Sequence, residues 1–258
     1  MLMTAEPAPV KTTQAADEKS WLSQKEIPRT ERLIFALDVS TTEEAQGLVE
    51  RLGDSVSFYK LGLQLFMAGG YYELIKWLRK RDKKVFVDLK FFDVPETVRL
   101  AVSQLKNREV SFATVHGNEE MLRAALQDKN GLGILAVTVL TSLDNADLQD
   151  LGFQCDIETL VLSRAERALE MGCDGVISSG LEAARLRQRL GQKFLIVSPG
   201  IRPLENRTVD DQKRIVTVED AFHKGADYIV VGRPIRDADD PRAAAEEIQQ
   251  RIETLFGK

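Results

Sequence analysis

The sequence predicts an α/β fold, a TIM (β/α)8 barrel, and three observations lead to it. From Leu33 onward, short runs of β-branched and apolar residues alternate with longer amphipathic runs, the pattern of repeated βα units around a parallel sheet. Eight such units fit within roughly 220 residues, the size of one barrel. Ionisable and hydroxyl residues recur where the apolar runs end, and in a barrel those ends share one face, where active sites form.

The first strand, residues 33–37, is an apolar run that stops at Asp38, and a helical pattern over 42–52 follows. A second run at 56–61 carries Lys60 near its end and leads into a helical pattern over 64–79, which Gly69-Gly70 breaks with a turn signal. The third, 85–89, reads Val-Phe-Val-Asp-Leu. Asp88 and Lys90 stand at its end, and Pro95 signals the first turn of a helix over 96–106. Strand four, 111–115, ends at His116 before a helix over 119–127. Thr138 and Thr141 mark the end of strand five, 133–139, and a helix over 157–171 comes after it. Strand six, 175–178, ends in Ser178 and Ser179 and precedes a helix over 181–190. Strand seven, 194–197, opens into a long polar connection from Pro199 through Arg202 to Gln212, then a short helix over 218–223. Strand eight, 228–231, gives way to Gly232-Arg233 and a last helix over 242–255. An open doubly wound sheet is the alternative, but it uses fewer strands and a glycine-rich turn after the first. Here that turn reads Asp38-Val-Ser-Thr-Thr.

Composition narrows the function. A total of 35 Lys and Arg against 40 Asp and Glu gives a formal charge of −5 without a long single-sign run, which argues against nucleic acid or an anionic membrane as partner. Cys155 and Cys173 lie far from each other and from His116 and His223, so no zinc spacing exists and reduced thiols in the cytoplasm are expected. No apolar stretch approaches the roughly 20 residues that span a bilayer. Residues 1–30, rich in Ala, Pro, Thr and Gln, read as a flexible, disordered tail that lacks the apolar core of a secretory signal, with docking of Trp21 and Leu22 left open. Residues 31–258 form the single barrel domain.

The densest chemistry lies in Asp88-Leu-Lys-Phe-Phe-Asp-Val-Pro-Glu-Thr97. Strand alternation turns Asp88 and Lys90 to one side, with Asp93 three residues on, and charges this close couple their titrations, as proton-transfer sites require. An ordinary reading stands beside this one: an Asp93–Glu96 helix cap and a strand-end ion pair. Arg202, Gln212 and Gly232-Arg233 suit a phosphate, because loops after strands seven and eight are the usual anion site of this fold. A tight turn at Gly232-Arg233-Pro234 with a solvent-facing arginine is the competing account. His116 reads equally as a packed strand-end histidine or a ligand contact, His223 as a surface residue, and Phe91 and Phe92 as packing or lining residues.

These motifs together resemble the orotidine 5′-phosphate decarboxylase family. The resemblance runs from about Leu33 to the last helix and rests on Ala36-Leu-Asp38, Tyr59-Lys-Leu-Gly62, the Asp88–Thr97 segment, Thr138-Val-Leu-Thr-Ser142, Pro199-Gly-Ile-Arg202, Asp211-Gln212 and Val231-Gly-Arg-Pro234. It implies decarboxylation of orotidine 5′-phosphate to UMP, the last step of de novo UMP synthesis, without cofactor or metal. It implies that Lys90 donates a proton to C6, that Asp88 lies beside the departing carboxylate, that Lys60 ties the charges together and that Asp38 binds ribose hydroxyls. Asp93 and Thr97, with Val94 and Pro95 between them, are implied to reach the neighbouring subunit's site in a homodimer. Thr141 falls near the base, and Gln212 and Arg233 grip the 5′-phosphate while the segment from Pro199 to Gln212 closes as a lid with help from Arg202; Pro199 and Gly232 count among the implied substrate-binding positions. The chain departs from the family pattern at His116-Gly-Asn, where His-Ala is expected, and at the polar run from Asn107 to Val110.

Two rivals follow from the same residues. Sugar-phosphate enzymes of the same barrel group share the Asp-x-Lys-x-x-Asp core but use magnesium and an acidic ligand near strand two, where this chain has Lys60. A non-catalytic phosphate-binding barrel would be expected to have lost part of the charge set, which is complete here.

Overall fold

Eight parallel strands close on themselves in chain order in the computed structural model, which describes residues 20–202 and 216–257. They are β1 (Leu33–Ala36), β2 (Phe58–Gly62), β3 (Lys84–Phe91), β4 (Phe112–His116), β5 (Gly133–Val137), β6 (Gly175–Ile177), β7 (Leu195–Ser198) and β8 (Tyr228–Val231). The ring shuts where β1 meets β8, with Ile34 opposite Val230. Among the described residues the helices are α1 (Thr42–Leu52), α2 (Leu63–Ala68), α3 (Tyr71–Arg79), α4 (Pro95–Ser103), α5 (Glu119–Gln127), α6 (Asn145–Asp150), α7 (Ile157–Glu170), α8 (Ala183–Leu190), α9 (Val218–His223), α10 (Arg233–Arg236) and α11 (Pro241–Phe256).

Local chemistry explains the boundaries. Thr41 starts α1 by accepting a hydrogen bond from the Glu44 amide, Glu43 and Glu44 complement the helix dipole, and Ala45, Leu48, Val49 and Leu52 face the sheet. The helix expected over 64–79 is two helices. Gly69 (φ +87°) and Gly70 (φ +65°) take backbone conformations that L side chains resist, so the chain turns between α2 and α3. The alternative reading of Asp93 and Glu96 as a cap of α4 is not realised. Val94 occupies the cap position, Asp93 Oδ1 accepts only from the Val94 amide among the bonds of its own side chain, and Glu96 pairs with Arg99. The short α6 and α10 leave no periodic signal in the sequence, since each is too brief to establish a helical period.

Side chains alternate between two cores. Outward residues such as Leu33, Phe35, Val85 and Val87 pack under the helices, whereas Ile34, Phe58, Phe86, Phe112, Leu135, Val197, Tyr228 and Val230 fill the barrel. Phe58, Phe112 and Tyr228 meet pairwise with centroids 5.4 to 6.0 Å apart, and Phe86 meets Phe112 at 6.1 Å, so an aromatic layer closes the lower barrel.

Of the tail expected over residues 1–30, residues 1–19 lie outside the described residues, and residues 20–29 dock below that layer. The Trp21 amide donates to the His223 carbonyl (2.7 Å), the Ser23 hydroxyl to Asp227 Oδ1 (2.5 Å) and Lys25 Nζ to the same carboxylate (2.9 Å), while Leu22 and Ile27 pack on the two cores. Asp227 is wholly buried, and its charge demands these donors together with Arg187 Nη2 (2.7 Å) and the Ile196 amide (2.9 Å). A polar, proline-rich composition hid this dependence on one distant carboxylate.

Candidate active site

At the carboxyl ends of the strands a cavity of about 530 Å3 opens above the aromatic layer. Inward alternation places Lys60 on β2 and Asp88 on β3 over Phe58 and Phe86, and the first loop brings Asp38 beside them. Lys60 Nζ lies 3.3 Å from Asp38 Oδ1 and 3.3 Å from Asp88 Oδ2, and Lys90 Nζ donates to the same Asp88 Oδ2 at 3.0 Å. The result is a line of alternating charge, Asp38, Lys60, Asp88, Lys90. Gly62 leaves room for it, because a Cβ there would lie 3.3 Å from the Asp38 carboxylate and 3.6 Å from the Lys60 ammonium.

Simple strand alternation does not bring Lys90 to Asp88. Val87 pairs with Ala113 and Phe91 with Val115, so four residues of β3 advance against two of β4. Within this bulge Lys90 has φ +48°, the left-handed region, and its amide donates to Thr114 Oγ1 at 2.9 Å. The Thr114 hydroxyl donates to Asp88 Oδ1, also at 2.9 Å.

Burial and charge set the protonation states. Burial pushes the Asp88 carboxyl upward, but Lys60 and Lys90, with hydrogen bonds from Lys90 and Thr114, outweigh it and hold the group below the usual carboxylate range. Burial likewise opposes the charge on Lys60, yet Asp88 and Asp38 raise its affinity for a proton above that of an ordinary lysine. Both groups stay ionised. His116, half-buried and near Arg164 and Lys90, is held below the ordinary histidine range, and its ring packs against Phe92 at 4.8 Å.

Of the residues singled out in the sequence, Asp38, Lys60, Asp88, Lys90, Thr141, Pro199, Arg202, Gly232 and Arg233 line this one cavity. Asp93, Val94, Pro95 and Thr97 do not: they are exposed, beyond the rim. Gln212 lies outside the described residues. Two further residues belong to this site without a sequence motif to mark them. Arg236 lines the cavity and donates from Nη1 to the Asp38 carbonyl (2.8 Å), and its position one helical turn beyond Arg233 was the available signal. Thr114 was visible only as an inward position two residues before His116. No group of three or more His, Cys, Asp or Glu side chains among the described residues is arranged to hold a metal ion, and no described helix is long and apolar enough to cross a membrane.

Comparison with known proteins gives this geometry a family. The model of the orotidine 5′-phosphate decarboxylase / HUMPS family matches residues 31–248. A protein of Methylococcus capsulatus named orotidine 5′-phosphate decarboxylase is 64% identical over 237 residues, covering 92% of this chain and 98% of that protein. One of the same name from Xanthomonas oryzae pv. oryzae is 51% identical over 230 residues, 88% of this chain and 94% of the relative. The crystal structure of orotidine 5′-phosphate decarboxylase from Lactobacillus acidophilus superposes with a TM-score of 0.76 at 35% identity, over 86% of this chain and 99% of that one. With the match extending through the whole barrel and all the elements that build the cavity, the chain is a carboxy-lyase that belongs to the orotidine 5′-phosphate decarboxylase / HUMPS family.

Proposed function

We propose that this chain converts orotidine 5′-phosphate to UMP and CO2 in the cytoplasm, as the closing step of de novo UMP synthesis. The observation that carries the reading is the alternating line Asp38, Lys60, Asp88, Lys90 in a cavity that Arg202 and Arg233 also line. The arginines and the Gly232 backbone receive the 5′-phosphate, Asp38 the ribose hydroxyls, and Thr141 and Pro199 flank the base. Breaking the bond between C6 and the carboxylate leaves its electron pair on C6, where the ring π-system delocalises it poorly. The Lys90 ammonium, already fixed by Asp88, faces that charge as it forms and then gives C6 a proton, and water returns one to Lys90. Lys60 keeps Asp88 ionised and in place, so that its carboxylate stands where the departing group must leave. No cofactor enters these steps.

The same reading includes a homodimer. Asp93 and Thr97 face away from their own cavity, and the loops and helices after β2 and β3 expose Met67 (78%), Phe92 (62%), Val94 (62%) and Leu100 (48%), an apolar surface that favours burial against a second copy. Across that interface Asp93 and Thr97 complete the partner's site.

The test is the fall in ultraviolet absorbance when purified protein meets orotidine 5′-phosphate with EDTA present. Conversion to UMP is expected. Activity that EDTA abolishes, or none on this substrate but some on sugar phosphates with magnesium, would overturn the reading.

A further inference from the structure

We infer that Thr114 is a positioning residue of the reaction: its single hydroxyl holds both the Asp88 carboxylate and the strained backbone that aims Lys90. The inference rests on the proposed roles of Asp88 and Lys90. Thr114 sits on β4, fully buried, with no exposure to the cavity and so no contact with substrate. Its hydroxyl is used twice, donating to Asp88 Oδ1 and accepting from the Lys90 amide, each at 2.9 Å. Neither bond is replaceable by the sheet, because the bulge between Val87 and Phe91 removes the regular β3–β4 ladder at this point. A non-glycine residue at φ +48° persists only when its surroundings impose it. Here the Thr114 oxygen ends that constraint at the Lys90 amide.

The division of labour on Asp88 is also specific. Oδ2 receives both ammonium groups, Lys60 at 3.3 Å and Lys90 at 3.0 Å, while Oδ1 takes the hydroxyl. One rotation of the carboxylate would break this pattern, and Thr114 is the neutral donor that fixes the rotation. Its bond also helps to keep Asp88 ionised against burial.

Replacing Thr114 with valine keeps the shape and removes the oxygen, whereas serine keeps the oxygen and removes the methyl group. For Thr114→Val, kcat on orotidine 5′-phosphate is expected to fall about 10- to 100-fold, the scale of one hydrogen bond to a charged group. KM, and the dissociation constant for UMP measured separately, should stay within about threefold, because the phosphate grip is untouched. Thr114→Ser should recover most of the lost kcat. Unchanged kcat in folded Thr114→Val, a loss expressed in KM instead, or a serine variant as impaired as valine would overturn the inference. If Thr114→Val does not fold, Thr114→Ala against Thr114→Ser makes the same comparison, and equal kcat in the two overturns it. Wild-type protein assayed alongside separates the two levels: no wild-type turnover removes the decarboxylase reading and this inference with it, whereas wild-type turnover beside an equally active valine variant removes this inference alone.

Discussion

The barrel carries a buried charge cluster at each end, and the two are built differently. At the floor, Asp227 and Arg187 have side chains 0% and 1% exposed, and Asp227 accepts from Ser23, Lys25, Arg187 and the Ile196 amide, while Arg187 also donates to the Gly225 and Phe194 carbonyls. At the mouth, Lys60 and Asp88 keep 12% and 10% exposure, and the chain of charges ends in Lys90 and Asp38, 35% and 43% exposed and facing the cavity. Saturation makes the floor a fastener for the N-terminal segment and β8. Incompleteness makes the mouth reactive, since its terminal ammonium and carboxylate still have capacity for a ligand.

The contrast can be broken from either end. The largest effect is expected from Lys90→Ala, which should lower kcat roughly ten-thousand-fold while leaving the denaturation midpoint nearly unchanged, because it removes both the proton donor and the charge facing C6. Steady-state kinetics beside urea denaturation would check this, and substantial turnover by the folded variant would remove Lys90 from its role. Asp227→Ala should do the reverse. Leaving Arg187 buried without its partner costs about 3–5 kcal/mol of stability, while the folded fraction should keep near wild-type kcat. Arg233→Ala should sharpen the mouth's own division between grip and chemistry: kcat/KM for the phosphorylated substrate should drop about 10- to 100-fold, with little change on phosphate-free orotidine.

The smallest effect concerns pH. Asp88 has its folded-state pKa depressed, so its contribution to stability is present above the ordinary carboxylate value of about 4 and is lost as pH falls through the lower folded value. Urea midpoints of wild type and Asp88→Asn should therefore keep a constant gap above about pH 4 and converge as pH falls from there through the lower folded value. A constant gap across that range would show that Asp88 stabilises the fold by packing alone.

How much of this the sequence disclosed depends on distance along the chain. Strand eight and the helices 119–127 and 218–223 coincide with β8, α5 and α9, since apolar runs bounded by polar residues report local structure directly. The cavity residues named from the sequence, from Asp38 to Arg233, were legible because each stands at a strand end or in the loop that follows it, and the barrel rule gathers strand ends. Thr114 was not, since its meaning depends on a bulge that shifts β3 against β4, and no periodicity announces that slip. Nor was the docking of Ser23 and Lys25, whose partner Asp227 is about 200 residues away. Arg236 escaped because α10 is a single turn.

The aromatic layer of Phe58, Phe86, Phe112 and Tyr228 separates these two clusters, and it has a kinetic consequence. With Ile27 beneath it, the layer sets packed apolar and aromatic side chains across the barrel axis between floor and mouth among the described residues. On the proposed mechanism, Lys90 spends one proton per turnover, and the replacement must arrive through the opening that admits orotidine 5′-phosphate and releases UMP. Substrate traffic and proton resupply therefore share one doorway, so recharging the donor waits on product departure or on water slipping past it.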